Sequence, residues 1–190
     1  MNNRCKMICI PNCSRCTCPR GVTGATGTQG TTGPTGLQGI TGPGVAPSYF
    51  NAVTNGGSQD VPSEGEVTFT VALQSGDFSF TPNTSEITVN TSGIYRVDYV
   101  VTIRPTNGII NVAYAVAING LEHPLSFFGM YSEGLADSER SELFGTFIAS
   151  IPAGATVTLK NKSTTEDILA GTGIDNQAIN RSTIILQRID

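Results

Sequence analysis

From residue 67 onward, apolar and polar side chains alternate with period two, and no long stripe of helical spacing competes. Val67, Phe69 and Val71 alternate with threonines, and Tyr95, Val97, Tyr99, Val101 and Ile103 are set against Arg96, Asp98 and Thr102. Ile110, Val112, Tyr114, Val116 and Ile118 are separated by Asn111, Ala113, Ala115 and Ala117. Shorter runs hold Phe78 with Phe80 and Ile87 with Val89, and later ones cover Leu143–Ile151, Ala155–Lys160 and Arg181–Ile189. Turn residues punctuate the pattern: Asn55-Gly56-Gly57, Pro82-Asn83, Ser92-Gly93, Asn107-Gly108, Asn119-Gly120, Pro152-Ala153-Gly154 and Gly171-Thr172-Gly173. About eight to ten short strands at this spacing predict a mainly β chain folded as a sandwich over residues 45–190.

Two of these runs are apolar on both faces at their centres, Leu143-Phe144-Gly145-Thr146-Phe147-Ile148 and Thr183-Ile184-Ile185-Leu186. A strand apolar on both sides is buried on both sides. One face belongs to the sandwich core, so the second is expected to meet another subunit. The interface candidates are Phe144, Ile148, Ile184 and Leu186, with Tyr49 and Phe50 at the start of the head. Ala113, Ala115 and Ala117 read as an ordinary solvent face, the alternative being a close-approach surface. Leu125 to Tyr131 is the most apolar connecting stretch, read as packing between subunits or as an exposed contact patch.

Before the sandwich the pattern changes completely. Glycine falls on every third residue at Gly21, Gly24, Gly27, Gly30, Gly33, Gly36, Gly39 and Gly42. In a collagen triple helix three extended chains wind about one axis where only hydrogen fits as a side chain, so the period implies a trimeric stalk over residues 21–44. A flexible linker has no reason to keep that register. At ~3 Å per residue the stalk would be on the order of 70 Å long. Only Pro34 and Pro43 stiffen it, and it carries no charge. So short a rod does not offset the ordering entropy of three chains, and another element must hold them in register. Thr23, Thr26, Thr32, Thr35 and Thr41 point outward, as acceptors of O-linked sugar or as plain polar surface.

Charge and cysteine are placed unevenly. The chain has 190 residues and a net charge of −4, with 14% charged residues. Residues 1–20 carry Arg4, Lys6, Arg15 and Arg20 and no acid, whereas all 15 acidic residues fall after the stalk. An acidic head speaks against nucleic-acid binding. All 5 cysteines, Cys5, Cys9, Cys13, Cys16 and Cys18, lie in the first eighteen positions. An odd number leaves a thiol over from any intramolecular set, and in a trimer the tip favours intermolecular disulfides and anchoring. Zinc is the competing chemistry, but its usual two separated pairs are compressed here. No apolar run approaches the ~20 residues of a membrane span, and Met7-Ile8-Cys9-Ile10 is too short for a secretory signal core.

The head resembles the jelly roll of the tumour-necrosis-factor and complement-type superfamily. The residues that carry the likeness are Ser48-Tyr49-Phe50-Asn51-Ala52, Thr91-Ser92-Gly93-Ile94-Tyr95-Arg96-Val97, Ile151-Pro152-Ala153-Gly154-Ala155-Thr156-Val157 and the final apolar strand. With glycine triplets such as GPT and GIT in front, the chain resembles the collagen-like, BclA-type proteins of the exosporium, the outer layer of bacterial spores. The resemblance implies a homotrimeric head that nucleates the stalk, a structural surface fibre on the spore, and glycosylated threonines. The basic cysteine cluster departs from the apolar, proline-rich leader common in that family. It implies attachment through the tip to a cysteine-containing spore-coat, exosporium or appendage protein.

Enzymatic chemistry finds little foothold. The only histidine is His123, beside a predicted turn, and Gly-x-Ser-x-Gly is absent. Gly171-Thr172-Gly173 lacks the lysine and helix of a phosphate loop. Glu133, Asp137, Glu139 and Glu142 lack calcium-loop spacing and read as a solvated loop. The expectation is a non-enzyme with no cofactor and no metal, the alternative being a lectin-like or adhesin recognition head.

Overall fold

The computed structural model describes residues 21–33, 48–170 and 179–190. The chain divides into two units, Met1–Gly42 and Pro43–Asp190. In the first, residues 21–33 form neither helix nor strand and are exposed throughout. The cysteines of the tip, Gly36, Gly39, Gly42, Thr35 and Thr41 of the repeat, and Gly171-Thr172-Gly173 lie outside the described residues.

In the second unit the strands are β1 (Tyr49–Asn55), β2 (Ser58–Val61), β3 (Val71–Gln74), β4 (Phe78–Phe80), β5 (Ile87–Val89), β6 (Gly93–Arg104) and β7 (Ile109–Ile118). They continue as β8 (Leu121–Glu122), β9 (Phe128–Glu133), β10 (Ser141–Ile151), β11 (Ala155–Asn161), β12 (Asp167–Ala170) and β13 (Asn180–Arg188). They build a jelly-roll sandwich of two antiparallel sheets. The first sheet runs β2-β12-β6-β13-β1-β3, with β10 also paired to β6. The second runs β4-β5-β11-β7-β8, with β9 also paired to β7. β10 occupies one edge of β6 from Gly93 to Ile103, so β13 and β12 share the opposite edge end to end.

Alternation decides which side chains meet between the sheets. From the first sheet Tyr95, Val97, Tyr99, Ile184 and Leu186 point inward, and from the second Ile87, Val89, Tyr114, Val116 and Leu159, all essentially without exposure. Aromatic rings lock one end: Phe50 lies 5.5 Å from Phe78 and 5.6 Å from Phe80, and Phe78 is edge-on to Tyr95 at 5.8 Å. The hairpins at Asn107-Gly108 and Asn119-Gly120 turn on consecutive positive φ angles, 52° and 75° in the first and 52° and 78° in the second. That is the tight-turn geometry for which Asn-Gly is the favoured pair.

The structure differs from the sequence expectation in three places. Val67 and Phe69 are buried as the alternation implies, but no continuous strand runs through them. The amide of Val67 donates to Leu159 O and that of Phe69 to Thr84 O, because the segment changes partners as it crosses the sandwich. The stretch from Leu125 to Tyr131 is a 3-10 turn, Pro124–Ser126, followed by β9. Ala115 and Ala117 are fully buried rather than a solvent face. Lys160 pairs opposite Ala115 and Glu122 opposite Ala117, and Glu122 carries ion pairs to Lys160 (3.7 Å) and Lys162 (3.3 Å) on that face.

Candidate assembly interface

The outward face of the first sheet follows from its register. Residues paired across antiparallel strands share a face, so three rows cross this sheet. One runs Phe144, Val100, Thr183, Val53, Val71. The next runs Thr146, Asp98, Ile185, Asn51, Leu73. The third runs Ile148, Arg96, Gln187, Tyr49. Phe144 (52% exposed), Ile148 (54%), Val71 (55%), Leu73 (66%) and Tyr49 (42%) stand on this one face, far more apolar surface than scattered exposed residues provide. Leu125, itself 64% exposed, borders Ile148 and Arg96 and carries the patch round the edge of β10.

The sequence candidates divide accordingly. Tyr49, Phe144 and Ile148 lie on the outward face. Phe50, Ile184 and Leu186 have no exposure and belong to the core, each being one step out of phase with its outward neighbour. Val53, Val71, Leu73 and Ile185 complete the face. Val71, which the alternation sets on one face with Val67 and Phe69, turns outward because β3 begins only at Val71, and Leu73 lies in a strand too short to alternate.

One polar cluster interrupts the apolar rows. Asp98 accepts from Arg96 Nε (3.0 Å) and from Thr146 Oγ1 (2.5 Å), and its side chain is only 16% exposed. The outer end of Arg96 remains in solvent, its side chain 53% exposed.

The near end of the sandwich is where the two ends of the head meet. Arg188 N donates to Ser48 O and Ile189 N to Ile94 O. Here the Gly-x-Tyr pair has its physical reason. Tyr95 Oη donates to Thr91 O (2.6 Å), and Thr91 Oγ1 donates to Asp77 Oδ1 (2.7 Å). The hydroxyls of Thr91 and Ser48 hold the Asp77 carboxyl below its ordinary value. The Arg188–Asp190 ion pair (2.8 Å) lies over Gly93, where a Cβ would come within 2.6 Å of Arg188 Nε.

The far end holds a buried polar network. Asp167, 5% exposed, accepts from Ser163 Oγ (2.7 Å), and Asn161 Nδ2 donates to Val61 O and Thr165 O. Burial pushes the Asp167 carboxyl up to about 6, against the hydroxyls of Ser163 and Tyr114, which favour its charge. The Tyr114 hydroxyl makes no hydrogen bond of regular geometry among the described residues. The folded chain therefore holds this proton more tightly than the unfolded one. Stability from this group is present in full below the ordinary value of 3.8 and is lost as pH rises through about 6. The loss is at most about 3 kcal/mol. Asp77, Glu122 and Asp190, lowered but at the surface, act in the opposite sense. Subtracting the unfolding curves of Asp167→Asn from those of the unaltered protein isolates the buried group. The difference should favour the unaltered protein as pH falls from 7 to 4, and a difference flat over that range would contradict the assignment.

His123 caps the 3-10 turn, its Nδ1 accepting from Leu125 N at 3.4 Å, and its ring stacks on Phe147 at 5.0 Å. Glu133 accepts from Tyr131 Oη and Glu139 from Ala136 N. Among the described residues no three metal-ligating side chains come together.

In the triplet repeat, Gly21, Gly24, Gly27, Gly30 and Gly33 share one property. A Cβ added at any of them meets nothing within 4 Å, and none has a φ in the left-handed range. Within a single chain nothing at these positions requires glycine.

No family profile matches the chain, and no curated protein matches it in sequence. Among solved structures it is similar to murine APRIL at pH 5.0, with 12% identity and a TM-score of 0.47, over 76% of this chain and 100% of that one. It is similar also to the Eiger tumour necrosis factor of S. frugiperda, with 11% identity and a TM-score of 0.49, over 76% of this chain and 92% of that one.

Proposed function

We propose that this protein is a non-enzymatic, homotrimeric surface fibre. A collagen triple helix over residues 21–44 spaces it, the sandwich of residues 45–190 assembles it, and the cysteine tip anchors it. The observation that carries the reading is the glycine period. It is strict in sequence, and at the described positions, Gly21 to Gly33, no strain or crowding within one chain accounts for it. Two further copies wound about a common axis do account for it. The same two copies supply an occupant for the apolar face of the first sheet. Leu125 and Phe127 on the edge of one copy meet that face on the next, a head-to-tail contact that closes after three steps.

The setting we infer is the surface of a bacterial spore, its exosporium or appendages. Cys5, Cys9, Cys13, Cys16 and Cys18 then cross-link the tip within the trimer or to a cysteine-containing partner protein. Thr23, Thr26, Thr32, Thr35 and Thr41 are the positions offered to O-linked sugar. Sedimentation of the full chain in reductant is expected to give three times the chain mass. A single-chain mass there would remove the stalk and the fibre together.

A further inference from the structure

The end of the sandwich remote from Ser48 opens into a cavity of about 310 Å³. β6 leaves the near end at Gly93 and arrives here at Arg104, a distance of about 35 Å at ~3.3 Å per residue. The cavity sits between the sheets. Ile103 of the first and Ile110 and Val112 of the second give it an aliphatic floor. Its rim is polar: Arg104, Thr106 and Asn107 rise from the β6–β7 hairpin, and Thr164, Thr165 and Glu166 from the turn before β12. Asp167 closes one wall, its Oδ2 accepting from Ser163 Oγ and its carboxyl beside the Tyr114 hydroxyl, which makes no hydrogen bond of regular geometry among the described residues.

These groups discriminate between classes of ligand. An anion would face two carboxylates against one guanidinium. A wholly apolar ligand would strand the rim hydroxyls and amides without water, at about 1–3 kcal/mol for each group left unpaired. The hydroxyls of a sugar donate and accept at once, which suits a rim holding both kinds of partner, while the C–H face of the ring suits the aliphatic floor. The volume lies at the bottom of the ~300–1,000 Å³ range of small-molecule sites, enough for one ring and not for a chain.

We propose that this far-end cavity binds a single sugar residue, with the Asp167 carboxyl accepting from one of its hydroxyls and the rim amide of Asn107 and hydroxyls of Thr106 and Thr165 engaging others. The site is complete within one chain, so it goes beyond the fibre reading and stands independently of trimer formation. In a tethered fibre it lies at the end of the head remote from Ser48 and the start of β1.

The test uses the full-length protein and the methyl glycosides of glucose, galactose, mannose, fucose and N-acetylglucosamine, with saturation-transfer NMR tuned to Kd values of about 1 mM. Saturable transfer to at least one glycoside is expected. Thr165→Trp places an indole in the cavity mouth from an exposed rim position and should weaken binding at least tenfold with an unchanged melting temperature. Asp167→Asn should weaken it severalfold while keeping the wall in shape. Absence of saturable transfer to every glycoside overturns the proposal, and so does binding that survives Thr165→Trp. Sedimentation on the same samples separates this outcome from a failure of the trimer.

Discussion

With Phe144 and Ile148 both replaced by glutamate, the protein is expected to sediment as one chain, where the proposed fibre predicts three for the unaltered protein. Both side chains stand outward on β10, about half exposed in a single copy, so the substitutions leave the core untouched and the sandwich folded. The proposed trimer covers the same positions. Each glutamate then places an unpaired carboxylate where no partner waits, and an uncompensated buried charge costs about 3–5 kcal/mol. Two such charges per subunit are expected to drive the copies apart. The triple helix should be lost with the trimer, because its triplets lack the charge pairs or proline content to hold register alone. Protease digestion within residues 21–44, absent before and rapid after the double substitution, reports that second step. Leu121→Glu is the control: Leu121 is 76% exposed on β8 of the opposite sheet, and its change should leave three chains together. A double variant that still sediments as three would show that the apolar rows of the first sheet are not the contact.

How far this face was legible depends on the strand. β6, β7, β10 and β13 announce themselves by alternation, and the two-sided apolar character of β10 and β13 points to a second buried surface. Sequence could not say which side of each strand faces the core. A shift of one residue exchanges the two faces, and only pairing to β6 shows that Ile184 and Leu186 turn inward while Ile185 turns outward. Phe50 and Tyr49 divide by the same rule. β2 and β12, four residues each, are too short for alternation to reveal, and the turn before β12, Thr164-Thr165-Glu166, looks like solvated surface. The far-end cavity was invisible for that reason. Its walls come from segments some sixty residues apart, and Asp167 looks like any surface acid until the fold buries it. Gly145 did carry a signal. Glycine inside a strand often marks the close approach of another group.

That approach sets the second large effect: Gly145→Ala is expected to destabilise the head by about 3 kcal/mol or more. A Cβ at this position lies 2.3 Å from Tyr99 Cζ and 2.7 Å from its Oη, so one of them must move. Tyr99 has little freedom to do so. Its ring is fully buried and edge-on to Phe128 at 6.1 Å. Its hydroxyl is shared between Tyr114 O (3.0 Å) and Ser126 O (2.9 Å). Burial pushes that hydroxyl well above the ordinary tyrosine value, which keeps the donor in place at any working pH. Overpacking a rigid core costs about 1–3 kcal/mol, and displacing the hydroxyl takes a donor from two carbonyls, at about 1–3 kcal/mol for each one left unpaired. Tyr99→Phe separates the two contributions. It keeps the ring, loses the hydrogen bonds and should cost less than Gly145→Ala in urea unfolding. Combining Gly145→Ala with Tyr99→Val should cost less than the sum of the single changes, because the residue that clashes has gone. Strict additivity would mean that the alanine acts elsewhere. Ser126 also accepts from Val116 N and anchors the turn that presents Leu125. A head weakened at Gly145 should therefore lose its apolar edge before it loses its strands, with assembly failing at a lower urea concentration than the sandwich itself.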